Sequence, residues 1–111
     1  QLRLTNKKDF AKVYQHKQST ANHQFVVYKK RNPELEKFRV GISASKKIGN
    51  AVVRNRMRRV LKEIVRNNQN RIRPGFDIVI IVRAKAIPLE FAQLEKSLLH
   101  ALRKASLLRK E

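Results

Sequence analysis

The sequence contains no cysteine and no tryptophan. Without cysteine there is no disulfide framework, no thiol nucleophile and no cysteine-ligated zinc, a usage compatible with a reducing compartment. Glycine and proline number three each, too few for a low-complexity linker, and they fall at element boundaries rather than in a Gly-rich nucleotide loop. No apolar run approaches the roughly 20 residues that span a bilayer. The opening Gln1-Leu2-Arg3-Leu4 has no signal-peptide core; the absence of an initiator Met leaves the native start open. Acids are also scarce, at 8 Asp and Glu. Asp9, Asp77 and the glutamates are scattered, with no two-carboxylate pattern for a divalent metal. His16, His23 and His100 show no spacing that demands an acid–base pair. No catalytic residue and no metal ligand is therefore assigned to the chain.

What is abundant is positive charge: 27 Lys and Arg give a formal +19 over 111 residues. Self-repulsion at that density opposes compaction, so a polyanionic partner is expected, nucleic acid above all. No stretch resembles an interfacial anchor, so no membrane partner is expected, and neither is a small-molecule substrate. With 41% hydrophobic residues the chain can still fold, and its length fits one RNA-binding domain over 1–111.

Lys7 to Gln15 reads as a short helix, capped by Thr5 or Asn6, with Phe10, Val13 and Tyr14 on one face. Gln24 to Lys29 reads as a strand apolar on both sides, Phe25 and Val27 opposite Val26 and Tyr28, so each side needs a cover. Gln18 to Ala21 is a shorter strand before it. After a turn at Arg31-Asn32-Pro33-Glu34, Phe38 to Ala44 alternates, which predicts an antiparallel hairpin with the preceding strand. Asn50 to Asn67 is the strongest helix, with a stripe of Val53, Met57, Val60, Leu61, Ile64 and Val65. Val52 falls off that stripe without explanation. Phe76 to Val82 predicts a buried strand. Pro88 opens a last helix, about Leu89 to Leu107, with Phe91, Leu94, Leu98, Ala101, Leu102 and Ala105 facing the core. The pattern is an α+β sandwich of three helices on a small sheet.

Lys46 to Arg59 carries the chemistry. A strand end, a Gly-containing turn and a helix start are packed with cations there, and orphan helix N–H groups favour phosphate at such a place. Lys46 and Lys47 add point charges; Arg54, Arg56, Arg58 and Arg59 add planar forks. Asn50 and Asn55 lie among them, and Asn55 can read a base edge or a ribose hydroxyl. Lys62 extends the basic side. From Lys46 to Arg66, Glu63 is the single acid against eight cations, whereas a solvated helix face normally mixes signs. Phe10, Tyr14, Val26 and Tyr28 are candidates for a stacking platform for single-stranded nucleic acid. Read from the residues alone, packing in the core is the favoured use of those four.

The run Lys46-Lys47-Ile48-Gly49-Asn50-Ala51-Val52-Val53-Arg54-Asn55-Arg56-Met57-Arg58-Arg59 closely resembles the signature of the bacterial ribonuclease P protein family. Asp9-Phe10, Phe25-Val26-Val27-Tyr28, Arg39-Val40-Gly41-Ile42-Ser43 and Ser97-Leu98 extend the resemblance over nearly the whole chain. The few basic residues that often precede Arg3 in the family are missing.

The resemblance implies a mostly antiparallel four-stranded sheet in the order α-β-β-β-α-β-α, with a left-handed β-α-β crossover against the general right-handed rule. It implies a monomeric, cytoplasmic protein that binds a catalytic RNA together with precursor tRNA. The RNA would carry Mg²⁺ and perform the hydrolysis that removes the 5′ leader. Lys46, Lys47, Asn50, Arg54, Asn55, Arg56, Arg58, Arg59 and Lys62 would meet the RNA subunit. Phe10, Tyr14, Val26 and Tyr28, with Arg54, would take the leader in a groove, Phe10 partly buried. The competing reading is a structural RNA binder of the ribosomal type, which shares the fold class but needs neither the full Arg54-Asn55-Arg56 pattern nor an aromatic groove.

Overall fold

A computed structural model describes residues 3–4 and 6–109. The elements are α1 (Lys7–Gln15), β1 (Ser19–Ala21), β2 (Phe25–Arg31), β3 (Arg39–Ser43), α2 (Ala51–Asn67), β4 (Phe76–Val82) and α3 (Phe91–Lys104), with short 3₁₀ turns after β3, α2 and β4. Asn6 caps α1, its side chain accepting from the Lys8 N–H at 2.8 Å. Thr5, the other expected cap, lies outside the described residues.

The sheet order is β1-β2-β4-β3. β2 runs antiparallel to β4, while β3 runs parallel to it. The expected β2–β3 hairpin is therefore not formed. The cause is β4 itself: Ile78, Val79 and Ile80 are fully buried, and a strand apolar on both faces belongs inside a sheet, paired on both edges. The connection from β2 to β3 straddles its start. Asn32 N–H donates to the Gly75 carbonyl at 2.8 Å, and Gly75 N–H donates to the Lys37 carbonyl at 2.7 Å. The parallel β3–α2–β4 crossover then brings the basic helix over the sheet.

Helices cover both faces. Met57, Leu61, Ile64 and Val65 of α2 and Leu94, Leu98, Ala101 and Leu102 of α3 form the main core with Phe25, Val27, Ile78 and Ile80. On the other face α1 closes a smaller cluster around Leu4, Val13 and Val79. The last helix is shorter at both ends than the expected Leu89 to Leu107, running from Phe91 to Lys104 with Glu90 as its cap, in a reciprocal capping box with Gln93. Phe91, counted in its apolar stripe, is exposed: it has the phase of the stripe but sits in the first turn, beyond the edge of the core. Val52 is 77% exposed, and nothing in the fold explains it.

Candidate nucleic-acid interface

The strand register decides what lies under α1. Tyr28 pairs with Val79 and Val79 with Gly41; Val26 pairs with Ile81 and Ile81 with Ser43. Because side chains alternate along a strand, these six positions share one face. Gly41 is the closest approach. A Cβ built there would fall 2.2 Å from Phe10 Cζ, so the Phe10 ring rests directly on the β3 backbone. Tyr14 stands edge-on to Tyr28, centroids 5.0 Å apart at 86°, and Phe10 follows at 6.5 Å from Tyr14.

Burial pushes the Tyr14 phenol above its usual range, partly offset by a hydrogen bond to Ser43. Phe10, Tyr14, Val26 and Tyr28 are all half-buried, so each has a packed side and an accessible one. The structure brings Phe10, Tyr14 and Tyr28 into contact on one cluster, while Val26 lies beside them on the same sheet face.

The groove is held at one end by ions. Arg39 grips Asp77 with a fork, Nε to Oδ1 at 2.7 Å and Nη2 to Oδ2 at 3.0 Å. Its Nη1 lies 3.5 Å from Asp9 of α1, and Asn32 donates to Asp77 as well. Two carboxylates meet here, but a guanidinium sits between them. Among the described residues no three His, Cys, Asp or Glu side chains gather as a metal site.

The second surface is the start of α2 and the turn before it. Lys46 and Lys47 are exposed in the 3₁₀ turn. Gly49 is crowded by Val53, whose Cγ1 would lie 2.9 Å from an added Cβ. Asn50 is the N-cap, its Oδ1 accepting from Val53 N–H at 3.0 Å. One of the orphan donors expected to meet phosphate is thus already satisfied, and Asn50 keeps its amide N–H groups and a second lone pair on Oδ1 for a partner.

Arg58 is also partly committed. It donates to Asn55 Oδ1 and to the Ala44 carbonyl, each at 3.2 Å, which braces α2 against the end of β3. Arg54 is half-buried, and its Nε is shielded from solvent without a hydrogen-bond partner among the described residues. Arg56 lies half-buried against the Met57 sulfur. Asn55, Arg59 and Lys62 are exposed.

A cleft of about 440 Å³ runs along this face between Asn55, Arg58, Arg59, Lys62, Glu63 and Arg66. Desolvation lowers the Lys62 pKa, helped by the nearby Arg3 and Arg58 charges. Arg3 and Arg66 therefore join the basic side. Helical spacing from Lys62 signals Arg66; nothing local in the sequence signals Arg3, which arrives through its bridge to Val40.

A family model described as Ribonuclease P matches residues 1–106. The ribonuclease P protein component of Geobacillus kaustophilus is 43% identical over 108 residues, covering 97% of this chain and 89% of that protein. Its counterpart in Bacillus velezensis is 46% identical, covering 97% and 92%. The solved RNase P protein of Staphylococcus aureus superposes with a TM-score of 0.91 at 38% identity, covering 98% of this chain and 99% of that one. That of Thermotoga maritima superposes at 0.85 with 33% identity, covering 94% and 97%. With a matching fold, a matching motif and near full-length similarity, the chain belongs to the ribonuclease P protein component family and is a subunit of that tRNA-processing endoribonuclease.

Proposed function

We propose that the chain, as one RNA-binding domain over 1–111, binds two RNAs at once. The face carrying Lys46, Lys47, Asn50, Arg54, Asn55, Arg56, Arg58, Arg59 and Lys62 meets the catalytic RNA subunit. The groove of Phe10, Tyr14, Val26 and Tyr28, with Arg54, takes the single-stranded 5′ leader of precursor tRNA. Leader removal is hydrolysis on the RNA, with Mg²⁺ held there. The protein acts in the cytoplasm as a monomer until it meets its RNA.

The observation that carries this reading is the pairing of two chemically different surfaces on one small fold. One is rich in guanidinium groups, which grip phosphates by fork geometry. The other presents half-buried aromatic edges and faces on which successive bases can stack without sequence preference. A protein of net charge +19 placed between two polyanions also offsets their repulsion. It should then lower the Mg²⁺ needed for cleavage and favour precursor over mature tRNA, which has no leader for the groove.

The test is cleavage of a 5′-extended precursor tRNA at low Mg²⁺ by protein alone, by bacterial ribonuclease P RNA alone, and by both. Strong cleavage in the mixture only is the expected result. Cleavage by the protein alone would place chemistry on its side chains, and no gain in the mixture would overturn the two-RNA reading.

A further inference from the structure

Two clefts flank α3 on its outer side. One, of about 550 Å³, includes His23, Gln93, Lys96, His100 and Arg103 in its lining. The other, of about 630 Å³, is lined by Arg73, Arg103, Arg109 and their neighbours. Arg103 lines both, and we call the two together the outer trough. Lys96, His100 and Arg103 follow at i, i+4 and i+7, which places them on one stripe of the helix.

The trough has cations and no carboxylate in its lining. Of the acids nearby, Glu90 is in the capping box of α3 and Glu95 pairs with the Asn68 amide at 3.0 Å, while Glu36 lines a separate small cleft that shares Pro74 and Arg109 with the trough. Several cations nearby have structural work. Lys29 donates to the Ala105 carbonyl and Arg73 Nη1 to the Ser106 carbonyl at the C-terminal end of α3, where the helix dipole favours positive charge. Lys104 donates to the Ala21 carbonyl at 2.9 Å.

Lys96, Arg103 and Arg109 have no such account. They are exposed, and no ion pair or side-chain hydrogen bond engages them among the described residues. His100 adds a ring N–H to the trough lining, its Nδ1 lying 3.3 Å from the Asn22 amide nitrogen.

This trough is separate from both surfaces described above. α3 packs on the Phe25 and Val27 face of the sheet, opposite the groove under α1. Arg73 and Arg109 lie by the chain leaving the far end of α2. That helix has 17 residues, so its start, with Arg54 and Arg56, is about 25 Å from its end, beyond the Debye length of roughly 8 Å at physiological salt, while Arg66 in its last turn is the part of the α2 face nearest the trough.

We infer that the outer trough of α3 is a third RNA contact, a site for the sugar–phosphate backbone centred on Lys96, Arg103 and Arg109. It rests on the family reading that the protein works between RNAs. The site takes phosphates without reading bases, because its unengaged groups are charges and simple donors.

The test compares a trough variant, Lys96→Gln with Arg103→Gln and Arg109→Gln, with a control of equal charge loss at exposed lysines outside the trough lining, Lys8→Gln with Lys12→Gln and Lys85→Gln. Arg56→Ala serves as the reference for the α2 face, and Arg103→Glu alone as a second, minimal trough variant. One arm measures affinity for ribonuclease P RNA across salt concentrations. The other measures affinity of the assembled holoenzyme for precursor and mature tRNA.

In one arm, the trough variant should flatten the salt dependence by about two to three in log–log slope, the control by less than half of that. A loss in the first arm assigns the trough to the RNA subunit. A loss in the second, equal for precursor and mature tRNA, assigns it to the tRNA body. Changes no larger than the control's in both arms, by both trough variants, would overturn the inference. If Arg56→Ala also had no effect, the two-RNA reading itself would fall; if Arg56→Ala weakened binding while the trough variants did not, only this inference would.

Discussion

The groove under α1 and the basic face of α2 differ in what their residues do when no RNA is bound. Phe10, Tyr14 and Tyr28 pack on one another and on Val13 and Val79, so the groove is an accessible edge of the core. Arg59 and Lys62 stand exposed on the opposite side of the α2 turn from Met57 and Leu61, and make no hydrogen bond among the described residues. The first surface is shaped by packing and should be rigid and sensitive. The second is set by charge and should tolerate change in the free protein. A substitution in the groove should therefore alter stability and binding together, whereas one at Arg59 or Lys62 should alter binding alone.

The largest effect is expected at Gly41. Any side chain there collides with the Phe10 ring, and α1 must lift or the ring must swing. Gly41→Val should cost about 1–3 kcal/mol of folding stability, the usual range for overpacking, and widen the groove as well. Denaturant unfolding checks the first, and affinity for leader-bearing precursor the second. Unchanged stability would mean that α1 is not seated on β3 as described.

Tyr28→Ala comes next. It removes one wall of the groove and should weaken precursor binding by about 1–3 kcal/mol if a base stacks there, with little change for mature tRNA. Equal losses for both RNAs would break the proposed division of labour. Arg56→Ala follows. As a change on a charge-set surface it should stay within about 0.5 kcal/mol of wild-type stability, while the salt slope of RNA binding falls by about one phosphate's worth. A clear loss of stability would show that Arg56 is held by its contact with Met57 rather than free for RNA.

The same contrast explains what the sequence disclosed. Helices were legible because their apolar stripes repeat locally, and the α2 motif was legible because its cations are contiguous. The four groove residues could be proposed from their strand and helix phases, but their contact depends on register between strands 50 residues apart, such as Tyr28 with Val79. The β2–β3 hairpin was misjudged for the same reason: alternation in β3 says which face is buried, not which neighbour it pairs with, and β4 enters between β2 and β3 only after α2. The double use of Asn50 and Arg58, as cap and as brace to the Ala44 carbonyl, was hidden too. A side chain whose type suits a ligand can already be engaged by the fold.

Lys62 offers the finest test of the charge-set surface. Desolvation, then Arg3 and Arg58, lower its pKa below the usual lysine range in the free protein. A phosphate brought beside it favours the charged form and raises that pKa again. Binding therefore takes up protons between the two values. Affinity is full below the free-protein pKa, falls as pH rises through it, and levels off above the pKa in the complex. Lys62 is exposed, so solvent screens the effect and it should be small. Lys62→Arg keeps its charge to higher pH, so its loss of affinity for the RNA subunit should begin at a more alkaline pH than in the wild type. Superimposable pH profiles for the two proteins would place Lys62 outside the contact and move the edge of the RNA-binding face back toward Arg59.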